Sequence, residues 1–526
     1  MLTSTRLSLA RLFQCAARCG ALMVLVTCAH ADDAQNHFDA GVKMYRDHKT
    51  EAALDEFNQA HKLAPKDATV LRWIGFVELE RQNYQAARDP LERAVALDPN
   101  SVVAHLDLGN VYDGLKLYPK ALEEFRKVTR IKPDSADAYF DMGLTQSKMG
   151  RWDDAADSLR TAARLDAAAA RSGAGVKEDP AMQDALGYAL MNSADTRGAV
   201  TAYQRAVALA PDNSEYNYHL GLAYRRLAEE KKERPDVALS NARRAVRVAV
   251  DRTPGNYEFT ELYGEILFDL NNNGEAADQF ARAAELDKSQ YNPVYNLAVA
   301  NSRMGRYAEA EKAYSRALTL VRPGDDPTYR RNALSGLSMS LLKQKKNEDA
   351  IGNLKTMTSE FPSETMGWVN LTSAYRGRGD EAGQIEALRG ALANSAGYSG
   401  TPQLRSALGA LYYRRGDIPA AMEQYAGANR AMPNNADILN GLGLCEEKTG
   451  RYDDAIRDFQ SALRINPRFA DAYNNLGVAY IGRYNKTTDK ADIDRALNAY
   501  NQALAIDPRH PLALRNKARY DKMKRP

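Results

Sequence analysis

Along most of the chain, apolar and polar positions recur with helical spacing. In the block from Val102 to Ser135, His105, Leu108, Gly109 and Tyr112 lie 3, 1 and 3 residues apart and share one helical face. Leu115-Lys116-Leu117 interrupts the run. Tyr118-Pro119 then opens a second helix, where proline fits the first turn. Ala121, Phe125 and Val128 mark the apolar face of that helix, and Pro133 ends it because its ring cannot continue the hydrogen-bond ladder. The unit is two short amphipathic helices and a stop. It recurs with a period of 34 residues from Ala34 onward. No segment alternates apolar and polar residues as a strand would, so the pattern predicts an all-α chain.

Small and large residues recur at fixed places within the unit. Gly109 has counterparts at Gly75, Gly143, Gly187, Gly221, Gly264, Gly409, Gly443 and Gly477. Ala121 has counterparts that include Ala53, Ala87, Ala155, Ala199, Ala421, Ala455 and Ala496. Both places allow two helices to approach closely. Phe57, Tyr203, Phe280, Tyr314, Tyr425, Phe459 and Tyr500 recur at a third place and are expected to fill the space between those approaches.

This pattern resembles the tetratricopeptide repeat (TPR) family in period and signature. Thirteen repeats can be counted, at 34–67, 68–101, 102–135, 136–169, 180–213, 214–256, 257–290, 291–324, 331–364, 365–398, 402–435, 436–469 and 470–510. They group as repeats 1–4 over 34–169, an insertion over 170–179, repeats 5–8 over 180–324, repeats 9–10 over 331–398, repeats 11–13 over 402–510 and a basic end helix over 511–526. The resemblance implies a right-handed α-solenoid with a concave inner surface that binds peptides or protein segments.

The departures from the pattern are as specific as the pattern. The insertion contains Arg171-Ser172-Gly173-Ala174-Gly175, and the preceding Ala167 to Ala170 is expected to prolong a helix. The sixth repeat carries Glu229-Glu230-Lys231-Lys232-Glu233-Arg234 between its helices, and the last is lengthened around Lys486 to Ala491. The tenth is degenerate: Thr372 and Gln384 stand where the small Gly and Ala belong, and no proline closes it.

In the family, places 2, 5, 9, 12 and 13 of each first helix face the groove. Carried onto the seventh repeat, these are Glu258, Glu261, Glu265, Phe268 and Asp269, of which four are acids in one helical stripe. The sixth repeat offers Tyr218, Arg225 and Arg226, and the eighth Tyr295 and Arg303. Further on come Arg376, Tyr413 and Arg414, then Asn440 and Asn474. Two readings follow. The charges pair internally between adjacent repeats, or Tyr and Arg anchor a partner while the acids repel negatively charged segments.

The first 31 residues are set apart from the repeats. Arg6, Arg11 and Arg18 give a basic start without an acidic residue, Ala21 to Val26 is apolar, and Ala29-His30-Ala31 precedes Asp32-Asp33. This predicts a signal peptide over 1–31 cleaved after Ala31, hence export to the periplasm. The alternative is a lipoprotein signal, Leu25-Val26-Thr27-Cys28, with lipid on Cys28, or secretion. Cleavage would remove three arginines and leave 68 Lys and Arg against 68 Asp and Glu, so the net charge of +3 is no footprint for nucleic acid. It would also remove Cys15, Cys19 and Cys28, leaving Cys445 within a helix and no possible intramolecular disulfide. No later apolar run reaches the roughly 18 residues of a membrane span.

The sequence offers little for catalysis. No His-Glu-x-x-His spacing, Cys-x-x-Cys pair, Gly-x-Ser-x-Gly elbow or phosphate-binding loop occurs, so no catalytic, cofactor or metal residue is assigned. His37 and His105 occupy a packing place. Asp153-Asp154 and Asp453-Asp454 open second helices, where acids complement the positive helix end. The expected function is a non-enzymatic protein–protein interaction scaffold of the bacterial cell envelope. The alternative is a carbohydrate-binding protein that accompanies polysaccharide secretion, with Tyr and Asn of the groove stacking on and bonding to sugars.

Overall fold

Eight of the first helices begin where the sequence supplies a side-chain cap. Asp67, Ser101, Ser135, Asp179, Asn213, Asn256, Asp326 and Asn435 accept backbone N–H groups of the first turn, which satisfies donors that have no partner inside the helix. Some second helices instead begin at an aromatic residue followed by acids, as at Trp152 with Asp153 and Asp154, or Tyr452 with Asp453 and Asp454.

The computed structural model describes residues 32–172, 177–231 and 234–521, and no strand occurs among them. The signal peptide expected over 1–31 and part of the 170–179 insertion lie outside the described residues. In chain order the helices are α1 (32–46), α2 (Thr50–Leu63), α3 (Ala68–Glu80), α4 (Tyr84–Leu97), α5 (Val102–Gly114), α6 (Tyr118–Ile131), α7 (Ala136–Lys148), α8 (Trp152–Arg171), α9 (Pro180–Asn192), α10 (Thr196–Leu209), α11 (Ser214–Glu229), α12 (Pro235–Arg252) and α13 (Tyr257–Asp269). They continue as α14 (Asn273–Leu286), α15 (Tyr291–Arg303), α16 (Tyr307–Leu320), α17 (Pro327–Lys343), α18 (Asn347–Glu360), α19 (Thr365–Arg378), α20 (Glu381–Ala393), α21 (Thr401–Arg415), α22 (Ile418–Ala431), α23 (Ala436–Lys448), α24 (Tyr452–Ile465), α25 (Ala470–Thr487), α26 (Ala491–Ile506) and α27 (Pro511–Asp521). The chain forms two units, one ending at Asn271 and the next starting at Asn272, so the division falls in the turn between α13 and α14. Within each unit successive helices pack on one another as an all-α solenoid.

The small and large places interlock as the spacing predicts. A Cβ added at Gly109 would lie 2.4 Å from the Phe125 ring, one at Gly75 2.4 Å from Leu91, and one at Gly477 2.4 Å from Tyr500. In these repeats the large residue of the second helix thus occupies the volume that the glycine leaves empty. Ala53, Ala87, Ala121, Ala155, Ala199, Ala421, Ala455 and Ala496 are fully buried. In the tenth repeat Thr372 and Gln384 are buried too, and the close approach moves: Gly383 now faces the Tyr375 ring and Gly390 the Trp368 ring.

The turn inside each repeat needs one residue in the left-handed region. Gly150, Gly305, Gly379, Gly416 and Gly450 fill it in five repeats, while His48, Gln82, Lys116, Ala194, Asn271 and Lys345 hold the same place with φ near +60°. Non-glycine residues are strained there.

Candidate protein-binding surface

The odd-numbered helices of consecutive repeats pack side by side, α3 through α13 in the first unit, and α15, α17 and α19, then α21, α23, α25 and α27, in the second. They form one layer in each unit, and the residues selected from the sequence lie on its helices. In the first unit this layer brings six of the sequence-selected residues together between α11 and α13. Arg225 donates from Nε to Asp269 Oδ2 at 2.9 Å and from Nη1 to Glu265 in a short contact, and its Nε lies 3.7 Å from Glu229. Burial pushes the Glu265 carboxyl up, and Arg225 works against that shift. Burial also pushes Glu261 up, although Tyr257 hydrogen-bonds to it, and Glu258 is exposed. The Tyr218 ring centroid is 4.9 Å from that of Phe259, and its hydroxyl is held above its ordinary range by burial and by Glu258, Glu265 and Glu261.

The other selected residues are placed separately. Arg226 turns along α11 to Glu230 at 3.4 Å. In the second unit Tyr295 stacks on Tyr291 with centroids 5.5 Å apart and meets Tyr314 edge-on. Arg303 and Arg376 are exposed on α15 and α19. Burial lifts Tyr413 to about 12, and Arg414 lies 3.0 Å from Glu381. Of the two sequence readings, the geometry supplies the internal pairing for Arg225, Glu265 and Asp269.

Asn440 and Asn474 belong to an amide ladder that crosses three odd-numbered helices. Asn475 on α25 donates to Asn440 on α23 at 3.0 Å, Asn474 donates to Asn475 at 3.2 Å, and Asn516 on α27 donates to Asn474 at 3.0 Å. An amide offers donors and an acceptor at once, so the ladder is bonded within itself and keeps capacity for a further polar chain.

Sequence reasoning missed a second acidic surface on the first unit. Asp107 accepts from Arg72 Nε at 2.6 Å, and Asp113 accepts from Thr145 at 2.9 Å and from Lys148. Asp141, bonded by Asn110, is lifted to about 6 by burial and by Asp137 and Asp113. Asp107 and Asp141 share the sixth place of their repeats, and that recurrence was the available signal. Among the described residues no group of three or more His, Cys, Asp or Glu is arranged to hold a metal ion, and no helix is long and apolar enough to cross a membrane.

Family models described as tetratricopeptide repeat or TPR repeat match residues 29–102, 185–230 and 227–293, then 78–139, 137–166, 290–356, 448–482 and 469–512. No curated protein matches the chain. Similar solved structures include YrrB, described as a TPR protein with an unusual peptide-binding site. It is 19% identical, with 38% of this chain and 92% of that chain covered and a TM-score of 0.32. TTC0263, a thermophilic TPR protein of Thermus thermophilus, is 22% identical over 36% of this chain and 98% of its own, with a TM-score of 0.29. The APC/C hetero-tetramer Cut9–Hcn1 is 15% identical over 86% and 96%, with a TM-score of 0.30. Stacked helical repeats serve mainly as interaction surfaces rather than catalytic domains. With matching repeat models across most of its length and helix pairs of the same kind throughout, the chain belongs to the tetratricopeptide repeat family.

Proposed function

We propose that this protein is an exported, non-enzymatic scaffold that holds segments of partner proteins against its odd-helix layers in the cell envelope. The observation that carries the reading is where exposed apolar side chains occur. Val103 on α5, Tyr188 on α9, Leu222 on α11, Met339 on α17 and Met366 on α19 are 50%, 51%, 38%, 43% and 52% exposed. All five stand at the second or ninth place of their repeats, places that the family resemblance assigns to the groove. Apolar residues kept in water at two recurrent places, beside tyrosines, arginines and an amide ladder, suit a polypeptide that buries side chains and bonds its backbone.

Photo-crosslinking in the native cell tests this. A crosslinking residue at Tyr188, Leu222 or Met366 is expected to capture defined protein segments, and the same residue at exposed Ser240 of α12 is expected to capture far less. Equal capture from both layers, or adducts with glycan alone, would reject groove binding. Mass spectrometry of the same native protein addresses export: a chain starting at Asp32 supports it, a lipidated Cys28 gives the membrane-anchored form, and an intact Met1 rejects cleavage.

A further inference from the structure

The first unit holds a cleft on its even-helix side that the groove reading does not use. It lies where the repeat spacing is broken. The second helix α8 has 20 residues, against 14 in α6 of the preceding repeat. Asp166 of α8, itself buried, accepts the Asp179 backbone N–H at 2.6 Å and so ties the added connection back to the helix. Between α8 and α10, above α9, this leaves a cleft of about 690 Å³.

The walls and floor of the cleft differ in chemistry. Ala163 and Ala167 on α8, Leu186 and Leu190 on α9, and Ala202 on α10 make an apolar bed. Four arginines rim it, Arg160, Arg164, Arg171 and Arg205, against two acids, Glu178 and Asp195. Two of the arginines are engaged. Arg205 bonds Glu178 through both guanidinium arms, and Arg160 bonds Asp157 at 2.7 Å. Arg164 and Arg171 make no salt-bridge contact among the described residues; Arg171 donates to the Ala167 carbonyl, and its charge helps hold Glu178 below its ordinary range. The rim therefore presents an excess of positive charge over an apolar bed.

The second unit has a smaller cleft at a corresponding place. Three extra residues, 399–401, separate the tenth and eleventh repeats, and a cleft of about 390 Å³ opens between α20 and α22. There Arg389 donates to the Tyr412 hydroxyl at 2.6 Å, Arg405 donates to Gln424 at 3.2 Å, and Glu423 stands on the rim. The first cleft is the larger, and four arginines rim it against two in the second.

We propose that the α8–α10 cleft docks an acidic amphipathic helix of a partner protein, at a site separate from the odd-helix layer. The α8 wall runs from Arg160 to Arg171, about 17 Å at the helical rise, which matches roughly three turns of a docked helix. Both walls are helices, whose side chains recur every three to four residues, so a ligand with the same periodicity seats its apolar face on the alanines and leucines. Acidic residues flanking that face meet Arg164 and Arg171, and this complementarity governs which helices bind.

The test uses the full chain and a fluorescein-labelled peptide of 16 residues, with leucine at 3–4 spacing and glutamate elsewhere, followed by anisotropy. Wild-type protein is expected to bind it saturably, and the double variant Arg164→Glu, Arg171→Glu to bind at least tenfold more weakly. The same variant is expected to gain affinity for a peptide with lysine in place of glutamate, a gain that an unfolded protein could not show. Absence of saturable binding overturns the proposal. So does equal binding of a scrambled peptide of the same composition, or unchanged affinity in the double variant. If phosphatidylglycerol vesicles bind through Arg164 and Arg171 while the peptide does not, the cleft recognises lipid headgroups and the proposal fails.

Discussion

The third and twelfth repeats place different chemistry on the same backbone positions. In the third, His105 at the fourth place faces Glu124 at the twenty-third. Its Nδ1 is 2.5 Å from Glu124 Oε2 and its Nε2 is 3.0 Å from the Pro99 carbonyl. Both ring nitrogens therefore meet acceptors, and Lys127 bonds the other carboxylate oxygen at 2.8 Å. The bond to Glu124 raises the His105 pKa despite burial. Burial would raise Glu124, but its bonds to His105 and Lys127 bring it below its ordinary range. In the twelfth repeat Leu439 replaces the histidine, and Glu446 stands where the third has Tyr112. Burial and the neighbouring Asp458 lift Glu446 to about 7, and burial lifts Asp458 as well. One repeat encloses a tightly bonded ion pair, and the other holds two neighbouring carboxyls whose nearest base, Arg451, stands 3.7 Å from Glu446. The lesson is that the TPR frame fixes side-chain positions and leaves their electrostatics to the individual repeat.

The largest effect should come from breaking the matched pair. His105→Leu leaves the buried Glu124 with Lys127 alone and is expected to cost about 3–5 kcal/mol, read from urea unfolding near pH 6. An unchanged midpoint would show that the pair contributes nothing. Next, the frame itself should respond alike in both repeats. Ala121→Leu and Ala455→Leu each overfill a fully buried place and should each cost about 1–3 kcal/mol. A large difference between them would mean that the two frames are not equivalent.

The pH response should separate Glu446 from Glu124 by sign. A raised Glu446 contributes stability that is present below its unfolded pKa near 4.3 and is lost as pH rises through about 7. Glu446→Gln should therefore stabilise the protein at pH 8, by up to about 1.4 kcal/mol for each pH unit of the shift that is relieved. The lowered Glu124 acts the other way: its contribution is present above about 4.3 and is lost as pH falls through its depressed value. Raised His105 adds stability below about 6.5 that is lost as pH rises through its elevated value. Melting temperatures of wild type and Glu446→Gln from pH 5 to 8 check this, and parallel profiles would reject it. The smallest change concerns the turn shared by all repeats. Ala194 holds a φ of +63°, so Ala194→Gly should stabilise by about 1 kcal/mol or less. Destabilisation would show that the turn carries no strain.

The helix pairs were legible because Gly109, Ala121 and Phe125 act through volume, and volume recurs visibly at fixed offsets. The electrostatic partners were less legible. His105 reads as a packing residue in isolation, and only the fold brings it against an acid 19 residues on. Of the candidate surface, the acidic stripe from Glu258 to Asp269 was visible as a helical face, but its commitment to Arg225 depends on how α11 lies against α13. The strained turn places were hidden because Gln82, Lys116 and Ala194 give no sign of left-handed backbone. The α8–α10 cleft was legible only as an insertion, since an opening is set by the spacing of helices rather than by any residue within it.

Cys445 is fully buried against the α20–α22 core, and burial pushes its thiol up to about 12. It is the one free cysteine among the described residues. A thiol so enclosed and so rarely ionised reacts with an alkylating reagent only when its surroundings open. The molecule therefore carries its own clock. The rate at which Cys445 is labelled, divided by the rate for an exposed thiol, measures how often the repeats around it breathe, without any engineered probe.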